Sequence, residues 1–125
     1  LAMGVARLFD RPLVVARRES KVTEGSVVTI NYISGSSKRI QTMSLAKRAV
    51  SEGQKTIIID DFIAGGGTVR AIFEMMKEFS ITVLGCGAAI STRQPEHKRI
   101  ENYKSLMVLE EVNEELQKLV VSSNI

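Results

Sequence analysis

The stretch IIIDDFIAGGGT, residues 57–68, sets two adjacent carboxylates, Asp60 and Asp61, at the end of a β-branched run. After three further residues come Gly65, Gly66 and Gly67, closed by Thr68. Neighbouring carboxylates at the mouth of a buried strand repel each other and lose hydration unless a cation or a hydroxyl-bearing ligand occupies the site. Glycines remove the Cβ atoms that would keep backbone N–H groups away from a bound group. Thr68 then opens a helix, so the positive end of its dipole and its own hydroxyl face the same anion. The chemistry these residue types suit is a sugar or metal on the carboxylates and a phosphate on the glycine–threonine turn, about one sugar length apart.

Other phosphate motifs fit poorly. A dinucleotide fingerprint read from Gly65 and Gly67 wants a third glycine where Arg70 stands, and no Gly-x-x-x-x-Gly-Lys-Ser/Thr loop occurs. A plain strand-to-helix loop is the blander reading, against which stands the meeting of paired acids and Gly-Gly-Thr at one junction. The single cysteine, Cys86, cannot form an internal disulfide and sits in the apolar stretch ITVLGCGAAI, where a small buried thiol is expected; this fits a reducing cytoplasm. His97 has no Cys, His or carboxylate at a spacing that would build a metal site, and is given no role.

The elements that must position the motif can be read from periodicity. LAMGVARLFD places Met3, Ala6 and Leu8 near one helical stripe that ends at Asp10-Arg11-Pro12. PLVVAR reads as a buried strand. SVVTINYIS alternates Val28, Ile30 and Tyr32 with Thr29 and Asn31; after a GSSKR turn, IQTMS returns to complete a hairpin. SLAKRAVSEG reads as a short helix capped by Ser44 and ended by Gly53. KTIIIDD is a strand of the kind covered on both faces in parallel sheets. From Thr68, Val69, Ile72, Met76 and Phe79 recur at helical spacing. ITVLGCGAAI and SLMVLEEV are further strands, separated by a polar loop over 91–102, and NEELQKLVVSS is ambiguous between helix and strand. The alternation predicts an α/β domain with a mostly parallel sheet flanked by helices and interrupted by a β-hairpin.

Composition bounds the rest. At 125 residues with 44% hydrophobic and 25% charged content the chain is one domain's worth, and no apolar run approaches the ~20 residues needed to span a bilayer. No membrane partner is expected. Residues 1–56 hold 10 Lys/Arg against 4 Asp/Glu, whereas residues 57–125 hold 7 against 10. That basic first half suits an anionic ligand or partner, although a solvated basic surface has the same composition. The N-terminal stretch lacks an initiator methionine and already reads as the middle of a helix, so the chain is expected to be a fragment of a longer one.

IIIDDFIAGGGT resembles the signature of type I phosphoribosyltransferases, in which hydrophobic residues, Asp-Asp, three residues, Thr or Ala, and Gly-Gly-Thr bind the ribose 5-phosphate part of phosphoribosyl pyrophosphate (PRPP). The resemblance implies that Asp60 and Asp61 hold the ribose hydroxyls and that Ala64, Gly65, Gly66, Gly67 and Thr68 wrap the 5-phosphate. Gly65 departs from the usual Thr or Ala, which loosens the loop and removes a side-chain contact. A second stretch, ARRESKVTEGSVVTINYISGSSKRIQTMSLAKR over residues 16–48, is similar without gaps to the purine operon repressors of Gram-positive bacteria. By the same resemblance Arg17, Arg18 and Lys21 would meet the pyrophosphate, with Ser36 of the hairpin turn a weaker ligand; guanidinium and ammonium donors suit that group.

This second resemblance implies a PRPP-sensing effector domain over residues 1–125 that performs no catalysis and whose PRPP binding opposes operator binding. No cofactor is required, magnesium could accompany PRPP, and the expected assembly is a cytoplasmic homodimer. The winged-helix DNA-binding domain and the first part of the family's sheet would precede Leu1. Lys38 and Arg39, on the hairpin tip, are candidate DNA contacts within the basic half. The alternative is an active phosphoribosyltransferase for a purine or orotate base. The PRPP motif alone does not separate the two, since both need the same grip on the ligand.

Overall fold

The computed structural model describes residues 1–18, 25–33, 39–113 and 118–125. In chain order, α1 (Ala2–Leu8) is followed by β1 (Val27–Ile33), β2 (Ile40–Ala46), β3 (Lys55–Ile63), α2 (Gly67–Glu78), β4 (Thr82–Thr92), β5 (Tyr103–Asn113) and β6 (Lys118–Ser123). Strands β3, β4 and β5 form a parallel sheet in sequence order, and β6 closes it antiparallel to β5. The ambiguous C-terminal stretch is therefore a strand over its described part. β1 and β2 form a separate antiparallel hairpin, in register from Val27 opposite Ala46 to Ile33 opposite Ile40.

Helix α2 lies between the two sheets and supplies both halves of the core. Towards the hairpin, Ala71, Met75 and Met76 pack with Tyr32, Met43 and Leu45. Towards the parallel sheet, Val69 packs with Ile58, Ile63, Cys86, Ala88 and Ile100. The periodicity read from Val69, Ile72, Met76 and Phe79 is borne out, since Val69 and Met76 are buried and Ile72 and Phe79 pack against the core. Met75 and Ala71 are buried as well, because a helix covered on two sides needs a wider apolar arc than one stripe.

Four local expectations are corrected. PLVVAR forms no strand: Leu13, Val14 and Val15 are exposed, and the first backbone pairing comes at Arg17, which exchanges N–H···O bonds with Ser44 at 2.9 and 2.6 Å. An apolar run becomes a strand only where a ladder receives it, and β2 meets this segment at one residue. SLAKRAVSEG is not a helix. Ser44 is buried within β2 and its Oγ donates to the Arg17 carbonyl at 3.2 Å; the strand continues to Ala46, and only Lys47–Ala49 turn as a 3₁₀ helix. Pairing with β1 and burial of Met43 and Leu45 override the helix propensity of the segment. The helix after the glycines starts at Gly67, so that Thr68 is its second residue. Finally, the parallel strands are not covered on both faces among the described residues, as Ile57, Leu84 and Leu106 are 46, 64 and 49% exposed.

Candidate functional site

Strand β3 runs on through both aspartates to Ile63, so Asp60 and Asp61 belong to its carboxyl-terminal part, Asp60 opposite Ala88 of β4. This is where ligands sit in an open parallel sheet. Asp60 is half-buried and Asp61 exposed. The Asp61 N–H donates to Asp60 Oδ1 at 3.0 Å, which ties the first carboxylate to the backbone of the second. Burial nevertheless holds the Asp60 carboxyl above its usual range, helped by the neighbouring Asp61 carboxylate and opposed by that N–H and the Arg18 guanidinium. Burial, with the Asp60 charge added, pushes the Cys86 thiol up to about 11. At neutral pH Cys86 is protonated and inert, as a packed core residue should be.

Beyond Ile63 the chain turns at Gly66, whose φ of +76° is open to glycine and strained for a side chain. Gly66 is the N-cap of α2 and no side chain caps the helix; the first intrahelical bond is Arg70 N–H to Gly66 O at 2.9 Å. The N–H groups of Gly67, Thr68 and Val69 thus have no partner within the helix. No acidic residue stands in the first turn to compete for them. These residues, the two aspartates and Arg18 line one cleft of about 150 Å³. Carboxylates, which accept from hydroxyls, and free helix N–H groups, which donate to an anion, thus share one cleft.

The structure brings together Arg18, Asp60, Asp61, Ala64, Gly66, Gly67 and Thr68 of the residues singled out from sequence. Gly65 turns its carbonyl to the Arg99 N–H at 3.0 Å. Arg17 is in place beside β2 through its bridge to Ser44, and Arg39 is exposed at the entry to β2; neither lines the cleft. Lys21, Ser36 and Lys38 lie outside the described residues. Sequence reasoning missed Phe62, which is 42% exposed on the cleft wall, and the segment carrying Arg99 and Ile100. Phe62 could have been found from its place between the acids and the glycines; nothing local marks Ile100. Among the described residues no three His, Cys, Asp or Glu stand close enough to hold a metal by themselves. A shallower depression of about 470 Å³, lined in part by Glu74, Lys77 and Thr82, lies at the amino-terminal end of β4, away from the acid pair.

Residues 1–121 match the phosphoribosyl transferase domain family. The chain is 43% identical over 113 residues to the purine biosynthesis transcriptional repressor PurR of Bacillus subtilis, covering 90% of this chain and 40% of that protein. It is 36% identical over 113 residues to the purine biosynthesis transcriptional activator PurR of Lactococcus lactis, 90% of this chain and 42% of the relative. It is also 29% identical over 90 residues to a xanthine phosphoribosyltransferase of Deinococcus deserti, 71% of this chain and 47% of the enzyme. The chain thus spans less than half the length of each of these relatives. Among solved structures, the adenine phosphoribosyltransferase of Giardia lamblia superposes with a TM-score of 0.73 at 17% identity, over 86% of this chain and 61% of that one. At that identity the likeness is one of fold, and it is the α/β fold with a mostly parallel sheet expected from the sequence.

Proposed function

This chain belongs to the phosphoribosyl transferase domain family, and from that premise we propose that it is the PRPP-sensing effector domain of a transcription regulator of purine biosynthesis genes, in which PRPP binding opposes operator binding. The observation that carries the reading is that Asp60, Asp61, Arg18 and the uncapped N-terminus of α2 line one cleft. Asp60 and Asp61 accept hydrogen bonds from the ribose hydroxyls. The N–H groups of Gly67, Thr68 and Val69 and the Thr68 hydroxyl take the 5-phosphate, in a loop that Ala64, Gly65 and Gly66 shape. Arg17, Arg18 and Lys21, with Ser36, serve the pyrophosphate. The similarity to regulators at 36 and 43% identity favours a regulatory role over catalysis. Any magnesium would travel on the PRPP phosphate oxygens, since the described side chains form no cage for it. The same reading makes the protein a cytoplasmic homodimer whose DNA contacts include Lys38 and Arg39; no helix among the described residues is long and apolar enough to cross a membrane.

Both ligands are polyanions drawn to the basic first half, so PRPP is expected to weaken operator binding by the full-length protein. Linkage then requires operator DNA to weaken PRPP binding by the same factor. Fluorescence anisotropy with labelled operator, repeated across PRPP concentrations, measures the first effect, and calorimetry with and without DNA the second. Operator affinity that does not respond to saturating PRPP would overturn the antagonism.

A second reading, an active phosphoribosyltransferase, is favoured by the 29% identity to the xanthine enzyme. The two part company at turnover. Full-length protein with PRPP, magnesium and xanthine, guanine, hypoxanthine, adenine or orotate is expected to form no nucleotide above a protein-free blank by liquid chromatography. Nucleotide from any one base would put the enzyme reading first.

A further inference from the structure

The segment between β4 and β5, residues 93–102, is a polar excursion in which Ile100 alone is buried, at 9% exposure. Its burial is not generic. Ile100 packs in the same cluster as Ile63, which ends β3 just before the glycine loop, and Val69, which follows the loop in α2. A Cβ placed on Gly66 would stand 2.8 Å from Ile100 Cγ1 and 3.4 Å from both Ile100 Cδ1 and the Ile100 N. One residue earlier, the Arg99 N–H donates to the Gly65 carbonyl at 3.0 Å. The segment is folded upon itself where Lys98 Nζ donates to the Pro95 carbonyl at 3.0 Å, and it leaves through Asn102 at a φ of +57°.

Three consecutive glycines make a loop with little conformational preference of its own. No side chain caps the helix that follows it. What aims the N–H groups of Gly67, Thr68 and Val69 must therefore come from outside the loop. The geometry points to Ile100, with the Arg99 N–H, as the positioning element of the phosphate loop: it fills the space a side chain at Gly66 would take, and it fixes the Gly65 carbonyl, so that the left-handed turn at Gly66 is held before the ligand arrives. This inference rests on the reading of the cleft as a PRPP site and names what preorganises it. The backbone bond from Arg99 restrains Gly65, a position that has no side chain of its own to do so. A loop ordered in advance spares the ligand the entropic cost of ordering it.

The test uses the full-length protein and three variants, Ile100→Ala, Ile100→Val and Asp61→Asn, with PRPP affinity by calorimetry, thermal midpoint, and amide hydrogen exchange over 65–68 without ligand. Ile100→Ala is expected to weaken PRPP binding roughly tenfold, as for residues that act through a direct contact. It should also accelerate exchange at 65–68 while β4 and β5 keep their protection. Ile100→Val, which removes one methylene and is the variant to rely on if alanine does not fold, should move both readouts in the same direction by less. A merely structural Ile100 would instead lower the thermal midpoint with PRPP affinity and 65–68 exchange at parental values, and that outcome overturns the inference. Should Asp61→Asn weaken binding while the Ile100 variants do not, the positioning role alone falls. Should Asp61→Asn bind PRPP as the parent does, the PRPP reading falls with it.

Discussion

Gly66→Val in the full-length protein is expected to bring PRPP binding down by about 100-fold or more, while the protein still folds. Two independent costs fall on one residue. A β-branched side chain at φ +76° is strained by roughly 1–3 kcal/mol. Its Cβ would also meet Ile100 Cγ1 at 2.8 Å, a separation that an atom so near the Ile100 backbone cannot relieve by turning a distal bond. The loop must move, and with it the helix N–H groups proposed to hold the 5-phosphate. Each hydrogen bond lost to a charged group costs ~1.5–3 kcal/mol, so displacing even one donor adds roughly another tenfold or more. Gly53→Val is the matched control: Gly53 has a φ of +78° but nothing within 4 Å of its would-be Cβ, and it lies just before the opposite end of β3. That variant should lose stability and keep its PRPP affinity. Calorimetry on both variants, with circular dichroism to verify the fold, decides the matter, and a parental dissociation constant for Gly66→Val would remove Gly66 from the site.

The contrast between these glycines shows which parts of the molecule could be read from sequence. Around the motif the determinants are local: a β-branched run makes β3, glycine at a required positive φ makes the turn, and apolar spacing from Val69 makes α2. Chemistry and local structure coincide there, so the cleft's acid pair and helix N-terminus were legible together. Elsewhere the deciding partner is remote. PLVVAR is as apolar as a true strand but meets β2 at Arg17 only, and SLAKRAV has helix-forming residues but is claimed by its pairing with β1. Likewise Ile100 sits 34 positions beyond Gly66 in a polar stretch, and only the folded chain brings it against the glycine. Single-residue chemistry is legible locally; what holds that chemistry in place is a tertiary fact.

The acid pair should show opposed effects on stability and binding. Asp61→Asn is expected to weaken PRPP binding roughly 10- to 150-fold, the loss of a hydrogen bond to a charged group being ~1.5–3 kcal/mol. Asp61 is exposed, so little stability should change. Asp60 differs because burial and its neighbour's charge hold its carboxyl above the ordinary range in the folded protein. The sign follows from linkage: a carboxyl whose folded pKa is raised favours the fold in its protonated form. Its favourable contribution is complete below the unfolded value of about 3.9 and is lost as pH rises through the higher folded value. As pH rises through that higher value the Asp60 charge weighs against the fold, opposed in part by the Arg18 guanidinium. Asp60→Asn removes the charge and is expected to raise the thermal midpoint slightly, the carboxyl being only half-buried and in part screened by solvent. The same variant should bind PRPP more weakly, and the parent's PRPP affinity should fall as pH is lowered through the Asp60 titration, a component absent from Asp60→Asn. Differential scanning fluorimetry from pH 4 to 8 with calorimetry at matched pH reads both effects. An Asp60→Asn protein that is less stable than the parent at neutral pH would show that Asp60 is held for the fold and not for a ligand.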